Sequence, residues 1–239
     1  MINRVGSCLL IFLGTLLLSA PSKAQDMPAP PPHPAGDGVY GVTSFDVPPA
    51  KIGQAVALLK AYRGAALRQA GNEGVLLLQQ IGWPSRFVIY DSWKDQSAYS
   101  ANQASAQTLR LCAGVTAISN STCDRRDYYQ VTTGPHRRAE GRNTVYMVLH
   151  LDVFPSKLDN FFVSTRQVAE KARKGRGNLF YDVESGVRTP WNYMVLIGAW
   201  RDRAAFDEYE TSPYAREFRE RVAEVLGSPY DDRLYTRIK

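Results

Sequence analysis

A chain of 239 residues with a formal charge of +6 is only mildly basic, and most of its cations are scattered. Two groups stand out: Lys171, Arg173, Lys174 and Arg176 at a predicted helix end, where the macrodipole favours cations, and His136, Arg137 and Arg138 in a predicted linker. Neither is interleaved with aromatic residues, so no nucleic-acid partner is expected, while a transient contact with an anionic membrane surface stays open. The sequence holds no GxSxG, HExxH, P-loop or recognisably spaced pair of catalytic carboxylates, which removes hydrolase, metalloenzyme and nucleotide-binding readings.

In chain order, residues 1–24 read as a secretory signal peptide: Arg4, an apolar run from Cys8 to Leu18, then small residues at Ser22 and Ala24. The run is shorter than the roughly 20 residues a bilayer span needs, so cleavage, no stable membrane insertion afterwards, and a periplasmic or secreted location are expected. An uncleaved anchor is the weaker reading. Cleavage removes Cys8 and leaves Cys112 and Cys123, which should pair in an oxidising compartment; so short a bridged loop stabilises by about 3 kcal/mol. A redox or metal-binding pair would need CxxC spacing or nearby histidines, and the sequence offers neither. Residues 25–37 form a stiff, proline-rich lead-in.

The remainder contains itself twice. Val39-Tyr40 through Asp46-Val47, Pro49, Lys51 and Ile52 matches Val145-Tyr146 through Asp152-Val153, Pro155, Lys157 and Leu158 at an offset of 106. Asp91 to Tyr99, with Trp93, Asp95 and Ala98, matches Gly198 to Phe206, with Trp200, Asp202 and Ala205, at an offset of 107. Tyr128-Tyr129 then matches Leu234-Tyr235 at 106. The units are 38–131 and 143–239, joined by a linker at 132–142.

Each unit opens with a strand of period two (39–47; 145–153), followed by an amphipathic helix (52–69; 158–174) that glycines end. Two strands follow (75–80 and 87–93; 179–183 and 193–200), joined by the turn-rich segments 82–85 and 185–190. A second helix begins after Asp95 and Asp202, its expected N-caps, and a last strand (127–131; 232–238) completes βαββαβ. Asp46 and Asp152 are read as caps of the first helices. The expected fold class is α+β: two ferredoxin-like βαββαβ units packed sheet to sheet as a pseudo-dimeric α/β barrel, because each unit covers only one sheet face with helices. The usual reason for such units to dimerise is met inside one chain, so a monomer, or a weaker assembly through sheet edges, is expected.

Three features resemble the antibiotic biosynthesis monooxygenase-like (ABM) domains of the dimeric α/β-barrel superfamily: the opening strand followed by Pro-x-Lys, the run Gly177-Asn178-Leu179-Phe180-Tyr181, and the Trp-x-Asp-x-x-Ala-aromatic step into the second helix. The resemblance covers both repeats and marks the fold better than the activity. It implies, for the members that are enzymes, oxygenases needing no metal or flavin that act on electron-rich phenols and quinols; no cofactor is expected. Many members carry histidine nine residues after the motif tryptophan, where this chain has Asn102 and Tyr209; Ser105 and Ser212 follow three positions later. Haem degradation, which in this superfamily uses a helix histidine, is disfavoured.

An oxygenase without cofactor needs a substrate that loses a proton and then an electron, hence an apolar pocket with a base. His150 is the candidate catalytic base, on the strand face of Tyr146 and Val148, where it would point between the two sheets. The competing reading is a histidine satisfied by a backbone carbonyl or by Asp152. Tyr146, Tyr40, Trp93, Trp200, Asn102 and Tyr209 are candidate substrate-binding residues, with core packing the alternative for the two tryptophans because they repeat. Position 44 is serine, so any site should be single and centred on the second repeat. The leading expectation is an exported cofactor-independent monooxygenase-like protein acting on a small aromatic or quinol in a cavity between the repeats. The alternative is a non-catalytic ligand-binding or accessory subunit with a periplasmic protein partner, such as a redox complex.

Overall fold

The computed structural model describes residues 37–119, 123–136, 141–187 and 192–239. The expected signal peptide, the lead-in up to residue 36, residues 137–140 of the linker and the Thr189-Pro190 turn lie outside the described residues.

The first repeat runs β1 (Val39–Asp46), α1 (Ile52–Ala66), β2 (Asn72–Gln80), β3 (Arg86–Trp93), α2 (Gln96–Gln103), α3 (Ala106–Ile118) and β4 (Arg125–Thr132). The second runs β5 (Val145–Asp152), α4 (Leu158–Lys174), β6 (Asn178–Gly186), β7 (Tyr193–Trp200), α5 (Arg203–Glu210), α6 (Pro213–Ala223) and β8 (Asp232–Arg237). Short 3-10 turns at Pro49–Lys51 and Pro155–Lys157 lead into α1 and α4, with proline in the first turn, where its missing N–H costs nothing. After each of these helices the chain turns at Gly71 and Gly177, both at φ +80°. A Cβ there would lie 2.5 Å from that of Ala98 and 2.6 Å from that of Ala205, so both the backbone conformation and the approach to the next helix require glycine.

Two expectations need correction. The second helix of each unit is two helices, because the repeated serine is an N-cap: Ser105 Oγ accepts from Thr108 N at 3.4 Å and Ser212 Oγ from Ala215 N at 3.2 Å. Asp95 and Asp202 cap α2 and α5 as expected, accepting from Ala98 N at 2.8 Å and Ala205 N at 2.9 Å. Asp46 and Asp152 are not caps. Asp46 takes a two-pronged ion pair from Arg86 at 2.7 and 2.9 Å, and Asp152 accepts from Asn192 Nδ2 at 2.7 Å.

The eight strands close into one antiparallel barrel in the order β1-β3-β2-β8-β5-β7-β6-β4. Each repeat contributes four neighbouring strands, and the edges that would otherwise be open are joined by β2 to β8 (Gln80 opposite Tyr235) and β4 to β6 (Tyr128 opposite Gly186). Because neighbours alternate in direction, β1 and β5, four places apart, run the same way, and equivalent residues of the repeats stand at the same height across the barrel. The odd residues Met147, Leu149 and Leu151 of β5 pack under the helices, while Tyr146 and Val148 face the barrel interior with Val42, Val88 and Ile197. Cys112 on α3 and Cys123 before β4 form a disulfide, Cα to Cα 5.1 Å. Among the described residues no helix is long and apolar enough to cross a membrane.

Candidate functional site in the barrel

The even residues of β1 and β5 place Ser44 and His150 at the same end of the barrel. His150 Nε2 lies 3.4 Å from Ser44 Oγ, and solvent reaches this rim. Lost hydration within the barrel mouth, with the positive charges of Arg233 and Arg126, pushes the imidazole down to about 4. The ring is therefore neutral at ordinary pH and can accept the Ser44 hydroxyl proton in a hydrogen bond. The register against β1 and β5 sets the last strands at an offset of 107 and not the 106 expected, with Tyr128 equivalent to Tyr235, so Arg126 on β4, opposite Val42, and Arg233 on β8, opposite Val148, are equivalent residues of the two repeats. Each is held by the aspartate two positions earlier: Arg126 by Asp124 at 2.7 Å, and Arg233 by Asp231. The Arg126 guanidinium also stands 4.9 Å above the ring of Tyr193, leaving the rim with one aromatic face, two cations and one neutral imidazole.

Deeper in the same interior lies a carboxyl that the sequence reading missed. Val195 of β7 is the register partner of both His150 and Glu184, so the two side chains belong to one row across β5, β7 and β6. Glu184 is fully buried; Tyr90 reaches across from the first repeat and donates its hydroxyl to Oε1 at 2.5 Å. Oε2 is buried with no hydrogen-bond partner among the described residues. Burial and the nearby Asp182 drive this carboxyl well above the usual range, against the opposing Tyr90 bond, so Glu184 carries a proton. Tyr40 stacks on Tyr90, ring centroids 5.8 Å apart, and burial with Glu184 and Asp182 raises its phenol strongly.

Asp182, also fully buried, accepts from Gly134 N at 3.1 Å and bonds His136 Nε2 at 2.5 Å. The His136 ring lies on Phe180 at 4.4 Å between centroids, so the histidine of the basic linker group is bound to β6, while Arg137 and Arg138 lie outside the described residues.

The other sequence-predicted residues stand elsewhere. Trp93 and Asn102, both fully buried, lie between the sheet and helices of the first repeat, in a polar network. Asp91 accepts from Trp93 Nε1 at 2.7 Å, Tyr62 Oη at 2.7 Å and Arg125 at 2.7 and 3.0 Å; Arg125 also donates to Asn102 Oδ1 at 3.0 Å. In the second repeat the same space is aromatic. Trp200 packs on Tyr209 at 4.7 Å and Phe206 at 5.1 Å, and Tyr181 shares a hydroxyl hydrogen bond of 3.0 Å with Tyr209. Gly198, at the position of Asp91, leaves room for the Trp200 ring, which would lie 2.7 Å from a Cβ there; Asp232 stands at the position of Arg125. The residues proposed from sequence thus occupy three spaces. His150, Tyr146 and Tyr40 share the barrel, and each tryptophan with its helix residue is packed away from it.

Glu184, Asp182 and the two arginines left signals in the sequence. Residues 182 and 184 put carboxylates on the barrel-facing positions of a strand, and Asp-x-Arg recurs at 124–126 and 231–233. Among the described residues no group of three or more His, Cys, Asp or Glu is placed to hold a metal ion.

The model of the antibiotic biosynthesis monooxygenase (ABM) family matches residues 39–113 and again 144–221. The chain belongs to this family. Within it, both ABM repeats keep the tryptophan at the end of their third strand as a packed residue, Trp93 at 0% and Trp200 at 1% exposure. Uncharacterized protein sll1783 of Synechocystis sp. is 28% identical over 86 residues, 36% of this chain and 58% of that protein, so the chain spans less than two thirds of its length. Among solved structures, a candidate monooxygenase of Fusobacterium nucleatum (FN1347) superposes with a TM-score of 0.74 at 14% identity, over 85% of this chain and 94% of its own. An anthrone oxidase-like protein superposes with a TM-score of 0.68 at 13% identity, over 87% of this chain and 94% of its own. These likenesses show the fold: two ABM units in one closed barrel.

Proposed function

We propose that the protein is an exported, cofactor-independent monooxygenase acting on a small aromatic phenol or quinol at the barrel mouth, with His150 as its base. The observation that carries the reading is the rim itself: a neutral imidazole beside two guanidinium groups. A phenol, with an ordinary pKa near 10, loses its proton to so weak a base only at a large cost. Arg233 and Arg126, whose charges add to lost hydration in making His150 a weak base, offset that cost by stabilising the phenolate as it forms. The phenolate then gives one electron to dioxygen, and the substrate radical and superoxide combine. In the net reaction a ring carbon of the keto tautomer loses two hydrogens and gains one oxygen atom, and the second oxygen leaves as water. Glu184 lies fully buried in the same interior, in the row of His150. Two proteins of the same fold are named as a candidate monooxygenase and as an anthrone oxidase-like protein, names that are consistent with this chemistry class. Export to the periplasm or medium draws on the N-terminal pattern and on the Cys112–Cys123 disulfide, which suits an oxidising compartment.

A second reading, a non-catalytic ligand-binding or accessory subunit of a periplasmic redox complex, is favoured by one observation: the tryptophan-helix space is filled in both repeats. Oxygen consumption against a panel of quinols and naphthols separates the two. Saturable uptake that His150→Ala loses supports the oxygenase; a folded protein showing only autoxidation supports the second reading.

A further inference from the structure

A cleft of about 350 Å³ lies where α1, the end of the linker and β8 meet, apart from the barrel mouth. Its lining is Arg63, Arg142, Arg237 and Lys239 with Thr144, Thr236 and Gly141, and none of these side chains is acidic. Among the described residues no ion pair neutralises any of the four cations. The second repeat makes a like contact from a different helix position, since the residue equivalent to Arg63 is Ala169 and Arg173 stands one turn further along α4. Arg173 donates Nε to Tyr181 O at 2.9 Å, as Arg63 donates Nε to Val75 O at 3.3 Å, on equivalent strands. Arg173 has Asp182 3.7 Å away, whereas the residue equivalent to Asp182 in the first repeat is Leu76. The charge partner present in one half is missing in the other.

A second, independent feature lies among the residues that line the same cleft. Thr144 is 4% exposed, and its Oγ1 is buried without a hydrogen-bond partner among the described residues. Its own N–H closes a turn on Gly141 O at 3.4 Å, which holds the hydroxyl against the linker end. An orphaned buried hydroxyl is costly unless something meets it, and guanidinium forks match tetrahedral oxyanions in geometry and charge.

We propose that this cleft binds a phosphate-class oxyanion, held by Arg63, Arg237 and Arg142 and by a hydrogen bond from Thr144 Oγ1. Its volume exceeds what one inorganic phosphate fills and lies within the range of small-ligand sites, so the anion is carried on a larger group or is a condensed phosphate. Two sources share this chemistry, a soluble organic phosphate and a phosphomonoester lipid headgroup.

Calorimetric titration with inorganic pyrophosphate and with glycerol phosphate, and co-sedimentation with phosphatidylcholine vesicles containing phosphatidic acid, test the proposal and separate the sources. Saturable binding in either arm should weaken by about tenfold or more in Arg237→Gln and in Thr144→Val. Thr144→Val leaves every charge in place and removes an unsatisfied polar atom, so without ligand it should melt no lower than the parent. Binding of the soluble phosphates alone identifies a metabolite-type ligand; binding to vesicles lost in the same variants identifies a headgroup. Absence of saturable binding in both arms, or binding indifferent to Thr144→Val, overturns the proposal, the latter because it would reduce the cleft to unspecific cation attraction.

Discussion

Replacing Glu184 by Gln gives the sharpest test of the barrel interior. The side chain is fully buried, accepts from Tyr90 at 2.5 Å, and is held protonated by burial and by Asp182. Its pKa in the folded protein is raised, so above the unfolded value of about 4.3 the folded chain keeps a proton that the unfolded chain has released. The native state then binds more protons, and stability falls as pH rises until the folded pKa is reached. One such group contributes a slope of about 1.4 kcal/mol per pH unit within that window. Glutamine keeps an acceptor for Tyr90 without the titration. The stability difference between variant and parent should therefore move in favour of the variant by about 1.4 kcal/mol for each unit of pH above roughly 4.5, or about 2–6 °C in Tm for a chain of this size. Denaturant unfolding of both proteins across pH 5 to 7 measures the difference directly, and the titrations they share cancel. A pH-independent difference would refute the assignment of a protonated Glu184.

The buried pair of the first repeat should behave as a coupled unit. Arg125, with 4% of its side chain exposed, and the fully buried Asp91 are each left as an unpaired buried charge when the other is removed. Asp91→Asn and Arg125→Met should each cost about 3–5 kcal/mol, and together much less than the sum; additive losses below about 1 kcal/mol each would contradict the network's role. For activity, the base form of His150 persists to low pH. The acidic limb of kcat/KM should lie near 4, well below the ordinary imidazole value of 6.5, and should move upward in Arg233→Gln. A limb at 6 to 7 that ignores Arg233 would remove His150 from the reaction.

The periodicity of the two repeats carried most of the architecture. Val145 to Asp152 alternate so regularly that their two faces could be assigned from sequence, and the structure divides them as assigned, with Tyr146 and Val148 inward and Met147, Leu149 and Leu151 under the helices. The helix break at Ser105 and Ser212 went unread because a cap looks like any other polar residue inside an amphipathic run; only its side-chain bond to the third residue onward distinguishes it. The site was legible in part. His150 follows from alternation, but its meeting with Ser44 depends on barrel closure, which brings equivalent strands face to face. Glu184 and Tyr90 lie 94 residues apart, and no local pattern announces that they touch. Asp91 and Gly198 show the limit of reasoning from repeats. Equivalent positions fill equivalent spaces, one with an ion pair and the other with an aromatic cluster, and only the packed side chains reveal which.

The most direct test of where a ligand sits uses the protein labelled with 15N at its three histidines and four tryptophans and titrated with a naphthol. A ligand at the barrel mouth predicts saturable shifts at the His150 ring nitrogens, with the indole signals of Trp93 and Trp200 unmoved. Shifts confined to either indole, with His150 unchanged, would contradict the account and return the site to the space between sheet and helices.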